Sequence, residues 1–293
     1  MTSLRDAVER AVAVLVEAGV PSPRADAMIL AGHVLAAERS EVERRLLLRG
    51  GIAEEPARRL RALVAERARR VPLQHLTGTA PFRRLELHVG PGVFVPRPET
   101  ESVAQLALDE LATGPDDALV VDLCTGSGAL ALALADEAPG ATVIAVELSE
   151  LALAWAERNI EATGLPVHLV AADATADPAG VPELAELVGR VDMVVSNPPY
   201  IPIGMAPLEP EVAEHDPGVA LYGGSTDGLA IPLGVAEAAA SLLRPGGLLV
   251  MEHADSQGAS LPRALGASGA WTEVRDHPDL SGRARTTTAR RAT

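Results

Sequence analysis

Short apolar runs alternate with amphipathic segments between residues 118 and 195, and this alternation restricts the possible folds more than any other feature of the chain. The apolar runs predict buried strands at 118–123, 141–147, 167–171 and 191–195. Helical periodicity between the first three runs predicts helices at 129–137 and 150–163. Strands and helices in this order form a mostly parallel, doubly wound α/β sheet of the Rossmann-like kind, which binds ligands at the carboxyl ends of its strands.

The chain on either side of this region divides into further parts. Residues 1–72 predict a small helical domain, with helices at 4–18, 25–37, 41–48 and 54–69. Residues 73–95 alternate as a β-hairpin does and are predicted to form a linker. The α/β domain is then expected to span 96–293. Its other predicted parts are a helix ending near 111, a loop at 201–225, a helix at 228–243, a turn at 244–247, a strand at 248–252, a helix at 260–265 and strands at 271–275 and 284–289.

Charge is distributed unevenly along the chain, whose formal net charge is −15. The first 95 residues contain 15 Arg and 11 acidic residues, whereas the rest contain 10 Arg and 29 acidic residues. Direct DNA binding needs clustered positive charge to contact phosphates, so the acidic α/β domain argues against it. The mildly basic first part is compatible with an acidic or RNA-bound partner, or simply with a solvated helical surface.

Several other classes are excluded by composition. The single Cys124 excludes an intramolecular disulfide framework, and the seven His show no metal-ligand spacing, so no metal site is predicted. No Lys is present, which excludes a P-loop. The N-terminus does not resemble a signal peptide, and no apolar run reaches the ~18 residues of a membrane span. The sequence therefore predicts a soluble, cytoplasmic protein.

A glycine-rich turn follows the first predicted strand and leads into a helix. Glycines let a ligand approach the backbone closely, and the first turn of a helix offers free N–H groups. We predict that this turn binds a cofactor. The residues of the predicted turn site are Asp122, Cys124, Thr125, Gly126, Ser127 and Gly128.

The next two strands end near carboxylates. Glu147 lies about 20 residues beyond the glycine-rich turn, where a carboxylate can accept both hydroxyls of a ribose. Asp173 follows the third strand and is placed to accept from an adenine amino group. The turn does not carry the third glycine of a dinucleotide-type Gly-x-Gly-x-x-Gly motif. The set predicts a nucleoside pocket without a pyrophosphate cradle, which suits S-adenosylmethionine better than NAD.

Asn197-Pro198-Pro199-Tyr200 follows the fourth strand and makes a rigid corner, because two prolines donate no N–H and hold φ near −65°. The side-chain oxygen of Asn197 and the carbonyl of Pro198 can each accept one N–H of a planar amino group. Tyr200 can pack on the flat face of that group. We therefore predict that Asn197, Pro198 and Tyr200 are catalytic, and that these residues together with Pro199 bind the substrate.

The corner alone leaves three functions open. One is methylation of an amide nitrogen, for which orientation of the nitrogen matters most because no side-chain base is evident beside Asn197. A second is adenine-specific methylation of DNA or RNA, with the same clamp on a flipped base. A third is a regulatory module that binds S-adenosylmethionine without catalysis.

Motifs along nearly the whole chain resemble those of the HemK family, the glutamine methyltransferases that modify peptide chain release factors. The Asn-Pro-Pro-Tyr corner is shared with adenine DNA methyltransferases, but its combination with the connector at 95–101 is far more specific. The resembling stretches are 72–78, 95–101, 122–128, 197–200, 243–247 and 279–283.

The resemblance implies methyl transfer from S-adenosylmethionine to the side-chain amide nitrogen of the glutamine in the Gly-Gly-Gln loop of a class 1 release factor. It also implies a class I methyltransferase fold, a helical domain that docks the release factor, and a cofactor site that includes Ala174 and Asn197. The chain departs from the family pattern at Cys124, where a glycine is usual, and at Ala174, where a larger residue is common. We expect a monomer.

Overall fold

The computed structural model describes residues 2–293. The helices are α1 (Leu4–Glu17), α2 (Pro23–Leu35), α3 (Arg39–Leu47), α4 (Glu54–Ala68), α5 (Leu73–Thr77), α6 (Glu101–Leu111), α7 (Ala129–Glu137), α8 (Glu150–Thr163), α9 (Pro182–Ala185), α10 (Pro210–His215), α11 (Ala230–Leu242) and α12 (Ser260–Ala267). The strands are β1 (Thr2–Ser3), β2 (Gly51–Ile52), β3 (Thr79–Phe82), β4 (Leu85–His88), β5 (Leu119–Leu123), β6 (Thr142–Glu147), β7 (Val167–Ala171), β8 (Val191–Ser196), β9 (Leu243–Glu252), β10 (Trp271–Pro278) and β11 (Ala284–Arg291).

Two compact units make up the fold. The helical unit contains the described residues up to Thr79 together with Leu208–His215, and the catalytic unit contains Ala80–Pro207 and Asp216–Thr293. The predicted boundary at residue 72 therefore differs from the structural one. α5 belongs with the helical unit, and so does α10, which is far away in sequence. No local sequence signal places α10 there, because its partners are distant residues.

The helical unit is built on apolar stripes with helical spacing. The stripe of α1, for example, is wholly buried at Leu4 and Leu15. The Ser3 hydroxyl caps that helix by accepting from the amide of Asp6 at 3.4 Å. The four predicted helices of this part are confirmed as α1 to α4.

The catalytic unit has a seven-stranded sheet in the order β10-β11-β9-β8-β5-β6-β7. The strands β5 to β9 run parallel to one another, and β11 pairs antiparallel with both β9 and β10. The predicted Rossmann-like, mostly parallel sheet is therefore confirmed. β5 lies between β6 and β8, so the carboxyl ends of these three strands meet.

Both faces of this sheet are buried. Alternate residues of a strand point to opposite faces, and the apolar core accordingly divides into two clusters. Val121 belongs to the cluster that includes α11 and α12, whereas its neighbour Val120 belongs to the cluster that includes α6 and α7. Continuous apolar runs such as 143–146, whose residues alternate between the two clusters, are explained by this double burial.

Three local predictions are corrected. Residues 73–95 do not form only a hairpin, because α5 precedes the β3–β4 pair. The loop at 201–225 is more ordered than its Pro and Gly content indicated. It contains α10 and a bridge between Ile201 and Tyr222. The predicted turn at 244–247 lies within β9, at a register irregularity against β8.

Among residues 2–293, no helix is long and apolar enough to span a membrane.

Candidate active site

The glycine-rich turn joins β5 to α7 and has an unusual backbone. Gly126 and Gly128 have φ of 59° and 86°, and Cys124 has φ of 66° although it is not glycine. Left-handed backbone at a residue with a side chain is uncommon and is often found at functional sites. Nothing in the described part of the chain lies within 4 Å of where a side chain on Gly126 would start. The turn is therefore open on that side, as close approach of a ligand requires.

Asp122 is wholly buried and organises this turn. Its Oδ2 accepts from the Thr125 hydroxyl at 2.6 Å and from the amide of Ala131 at 3.1 Å. Its Oδ1 has no hydrogen-bond partner among residues 2–293. Burial raises the pKa of Asp122 to about 7, although these two hydrogen bonds favour the ionised form. Asp122 therefore links the glycine-rich turn to α7, and its Oδ1 remains available as an acceptor.

Glu147 ends β6 beside the turn. Its Oε2 accepts from the amide of Gly126 at 2.8 Å, and its Oε1 accepts from the amides of Leu148 and Ser149 at 2.9 Å each. A carboxylate has about four acceptor positions, so further hydrogen bonds remain available to it. The structure therefore places Glu147 against the glycine-rich turn, where the sequence predicted a ribose.

Asp173 and Ala174 lie beyond the end of β7, which stops at Ala171. Asp173 is exposed, and its Oδ1 accepts from the amide and the hydroxyl of Thr175. The amide of Ala172 donates to the Glu147 carbonyl at 3.0 Å, which brings this turn beside the end of β6. Ala174 is buried in the apolar core. The predicted roles of both residues toward adenine remain predictions.

Asn159 of α8 supports the turn and was missed by sequence reasoning. Its Nδ2 donates to the carbonyls of Ser127 and His88, at 2.9 and 3.0 Å, and its Oδ1 accepts from the His88 amide at 2.7 Å. The side chain is 1% exposed. Asn159 therefore ties the predicted cofactor turn to β4. A polar residue in a helix gives no sequence signal for such a contact.

The Asn197 to Tyr200 corner directly follows β8, as predicted. Asn197 Nδ2 donates to the Thr100 hydroxyl oxygen at 3.2 Å. Within residues 2–293, no hydrogen bond is made by Asn197 Oδ1 or accepted by the Pro198 carbonyl. Two acceptors of the corner are thus unengaged, while the amide nitrogen of Asn197 is held. We name the group of Asn197, Pro198, Pro199 and Tyr200 the amide clamp.

Three residues behind the amide clamp were also missed. The Tyr200 hydroxyl donates to Glu252 Oε1 at 3.1 Å, and Gln257 Nε2 donates to the Tyr200 carbonyl at 3.0 Å. Thr100 is the third, because it holds Asn197. Glu252 ends strand β9, so the rule that selected Glu147 could have found it. Thr100 lies in the connector at 95–101, but the sequence showed only that it belongs to this motif and not that it contacts Asn197.

Gly228 shows how tightly the following loop supports the clamp. A side chain on Gly228 would start 2.1 Å from the Tyr200 carbonyl oxygen, and φ at this residue is 74°. Only glycine fits such a close approach. The loop therefore packs directly against the backbone of Tyr200.

Cys124 and the acidic residues show no sign of other chemistry. Burial raises the pKa of the Cys124 thiol, so the reactive thiolate is disfavoured. No group of three or more His, Cys, Asp or Glu that could hold a metal occurs among residues 2–293. The arrangement at the strand ends is suited to binding a nucleoside and orienting an amino group.

Comparison with known proteins agrees with this geometry. Residues 6–78 match the PrmC N-terminal domain, and residues 84–205 match the methyltransferase small domain. The release factor glutamine methyltransferase of Mycolicibacterium smegmatis is 50% identical over 99% of both chains. That of Streptomyces coelicolor is 49% identical over 100% of this chain and 99% of its own. The chain belongs to the release factor glutamine methyltransferase family.

A third relative and a solved structure agree with this membership. The family member of Deinococcus radiodurans is 44% identical over 99% of both chains. A methyltransferase of Pyrococcus furiosus, with 21% identity, superimposes with a TM-score of 0.50 and covers 71% of this chain and 90% of its own. That similarity shows a methyltransferase fold. The resemblance to the HemK family is thus confirmed.

Proposed function

We propose that this chain transfers a methyl group from S-adenosylmethionine to the side-chain amide nitrogen of a glutamine in a class 1 peptide chain release factor. Family membership supports the reaction, and one observation supports its location. Asn197 Nδ2 is engaged by Thr100, which leaves Asn197 Oδ1 and the Pro198 carbonyl as two adjacent acceptors. An amide –NH2 group has two N–H donors to match them.

The cofactor would be held by the turn between β5 and α7 and by the ends of β6 and β7. The open space over Gly126 and the unpartnered, buried Asp122 Oδ1 both fit such a ligand. Glu147 would accept from the ribose hydroxyls, and Asp173 from the adenine amino group. S-adenosylmethionine supplies an activated methyl group on a sulfonium.

The residues of the amide clamp then have a positioning task. An amide nitrogen is a weak nucleophile, because its lone pair is delocalised into the carbonyl. Aligning such a nitrogen with its target can contribute roughly 7–11 kcal/mol to catalysis. Acceptors at Asn197 and Pro198 also stabilise the positive charge that develops on the nitrogen during transfer. Tyr200 is held through its hydroxyl by Glu252, so its contribution is the packing of its ring.

The helical unit is proposed to dock the release factor. It exposes apolar surface at the end of α3, where Leu47 and Leu48 are 78% and 69% exposed. Adjacent large exposed apolar side chains are typical of interaction sites. Replacing both by Asn should raise KM for an intact release factor and leave methylation of a short Gly-Gly-Gln peptide unchanged. An unchanged KM for the intact protein would contradict docking at this surface.

The function is tested by incubating the protein with labelled S-adenosylmethionine and, in parallel, with release factor or DNA. Mass spectrometry of the Gly-Gly-Gln peptide should find one added methyl on the glutamine. Label on DNA would instead support the adenine-specific alternative. Binding of the cofactor without transfer to either substrate would support the regulatory module.

A further inference from the structure

A single buried side chain, that of Gln257, joins the amide clamp to two other segments of the catalytic unit. Its Nε2 donates to the Tyr200 carbonyl at 3.0 Å and to the Asp227 carbonyl at 2.9 Å. Its Oε1 accepts from the amide of Ala254 at 3.0 Å. The –NH2 group of a glutamine has two N–H donors, so both are used here. Gln257 is 3% exposed, and water therefore has little access to these contacts.

Tyr200 is held at two points by one short stretch of the chain. Its carbonyl accepts from Gln257, and its hydroxyl donates to Glu252 Oε1 at 3.1 Å. Residues 252–257 lead from the end of β9 into a single turn of 3-10 helix, Asp255–Gln257. The two supports of Tyr200 are therefore only five residues apart, and they act at opposite ends of that residue.

We propose that Gln257 is a positioning residue, which holds the Tyr200 carbonyl so that the ring of Tyr200 packs at a fixed angle against the substrate amide. This inference rests on the proposed function, because it names a support of the same clamp. Gln257 touches no substrate atom in this account, and its effect on turnover passes through Tyr200.

The hydroxyl contact of Tyr200 does not by itself determine where the ring lies. One hydrogen bond fixes one point, and the ring can still pivot about its oxygen. The two residues before Tyr200 give the backbone no further donor, because Pro198 and Pro199 have no amide hydrogen. The contact with Gln257 fixes the carbonyl of Tyr200 as a second point. Backbone and hydroxyl together then determine the tilt of the ring between them.

Gly228 gives independent support for the importance of this contact. A side chain on Gly228 would start 2.1 Å from the Tyr200 carbonyl oxygen and 2.9 Å from Gln257 Nε2. Glycine is thus the residue that lets the loop lie against this hydrogen bond. The residue before it, Asp227, supplies the second carbonyl that Gln257 binds. Three separate segments are therefore assembled around one carboxamide.

The first test measures kcat and KM of Gln257→Met with S-adenosylmethionine and an intact release factor. Met is close to Gln in length and shape, but it has no N–H donor. We expect kcat to fall roughly 10- to 100-fold, as for a misplaced reacting group. KM for the release factor and Kd for the cofactor should stay near wild type, because other residues are proposed to bind both.

A double-mutant cycle with Tyr200→Ala tests whether the effect passes through the ring of Tyr200. Once the ring is absent, adding Gln257→Met should lower kcat by less than about 2-fold, whereas independent substitutions multiply their effects. Mass spectrometry of the Gly-Gly-Gln peptide detects the low turnover of these variants.

Asp192→Ala is the matched control. Asp192 also holds backbone, since its Oδ2 accepts from the amide of Leu119 at 2.8 Å, but it does so at the amino ends of β5 and β8. These ends lie at the edge of the sheet opposite to the amide clamp. The control should lower thermal stability and keep the wild-type kcat.

Two further variants keep the test available if Gln257→Met folds poorly. Gln257→Asn has a carboxamide that is one carbon shorter and cannot reach all three partners, so its kcat should lie between that of wild type and Met. Gln257→Glu keeps an acceptor for Ala254 but replaces the –NH2 group by an oxygen. Its kcat should fall at least as far as that of Met, although the contact with Ala254 is kept.

The outcomes separate this inference from the proposed function. Wild-type kcat in the Gln257 variants would contradict the inference. A full multiplicative loss in the cycle with Tyr200→Ala would also contradict it, as would equal losses of kcat, cofactor affinity and thermal stability, because Gln257 would then support only the fold. Failure of the wild-type protein to methylate the release factor would contradict the proposed function itself, whereas normal wild-type transfer with unaffected variants would contradict this inference alone.

Discussion

Two carboxyl groups, one in each unit, have opposite environments. In the helical unit, Glu211 of α10 accepts from Arg67 at 2.8 Å and from Arg70 at 2.7 Å. Arg67 also contacts Asp26 at 2.8 Å. In the catalytic unit, Glu252 accepts from the hydroxyl of Tyr200, and its Oε2 has no hydrogen-bond partner among residues 2–293.

The difference shows which contribution to the pKa dominates at each of the two carboxyl groups. Burial alone would raise the pKa of Glu211, but hydrogen bonds from Arg70 and Arg67 outweigh burial and lower it to about 2. Burial dominates at Glu252, where hydroxyl groups are weaker partners than guanidinium groups, and the pKa rises to about 7. In the helical unit, an ionised Glu211 thus holds the distant helix α10 through its ion pairs with Arg67 and Arg70. In the catalytic unit, Glu252 is a carboxyl group that titrates near neutral pH.

The largest expected effect comes from removing the guanidinium group that pairs with carboxylates in the helical unit. Arg67→Ala leaves Asp26 and Glu211 without their shared guanidinium and should lower the stability of the helical unit by about 3–5 kcal/mol. Urea unfolding followed by hydrogen exchange in peptides of α2, α4 and α10 would measure this loss. Arg61→Ala is the control, because its ion pair with Glu54 is exposed and should contribute little. Equal effects of the two substitutions would contradict a structural role for the buried cluster.

Removing the side-chain amide of Asn197 from the amide clamp should affect turnover instead of stability. Asn197→Ala loses one preorganised transition-state contact and should lower kcat by roughly 10²–10³. Asn197→Asp keeps an acceptor oxygen but adds a charge, so its activity should lie between that of wild type and Ala. Methylation of the Gly-Gly-Gln peptide measures both, with circular dichroism to confirm folding. Near-normal methylation by the Ala variant would falsify the clamp mechanism.

Glu147 is a third kind of carboxylate, because among residues 2–293 it accepts from backbone amides and from no guanidinium group. Glu147→Ala should weaken S-adenosylmethionine binding by about 1–3 kcal/mol, since the ribose hydroxyls would lose their partner. Isothermal titration calorimetry measures this loss. Glu150→Ala, at the exposed start of α8, is the neighbouring control and should bind normally. Unchanged affinity in Glu147→Ala would place the ribose elsewhere.

The smallest expected effect is the pH dependence of stability, and its sign differs between the two carboxyls. The folded pKa of Glu252 is raised from 4.5 to about 7, so its contribution to stability is full below pH 4.5 and is lost as the pH rises through 7. The folded pKa of Glu211 is lowered from 4.5 to about 2, so its contribution is present above pH 4.5 and is lost as the pH falls toward 2.

Denaturation midpoints across this pH range would test both signs. Relative to wild type, Glu252→Gln should remove part of the decline between pH 4.5 and 7. Glu211→Gln should remove part of the decline below pH 4.5. Parallel curves for wild type and both variants would mean that neither carboxyl titrates as its surroundings require.

Local features of the sequence were sufficient for the fold class and for much of the candidate site. Short apolar runs predicted the parallel strands and period-3.6 patterns predicted their helices, because a strand buried on both faces is apolar throughout and a helix buried on one face is apolar at helical spacing. Glycine and proline predicted the turn after β5 and the amide clamp, since their backbone restrictions act within a few residues. Glu147 was found because it ends a predicted strand, and Asn197 was found because it closely follows one.

The support behind the site was decided only by tertiary structure. Asn197 meets Thr100 across 97 residues, Tyr200 meets Glu252 across 52, and Arg70 meets Glu211 across 141. Such contacts depend on strand order and on the return of distant segments, which no local period encodes. The pKa values of Glu211 and Glu252 follow from those contacts and from burial. A glutamate side chain therefore has a lowered pKa in the helical unit and a raised pKa in the catalytic unit.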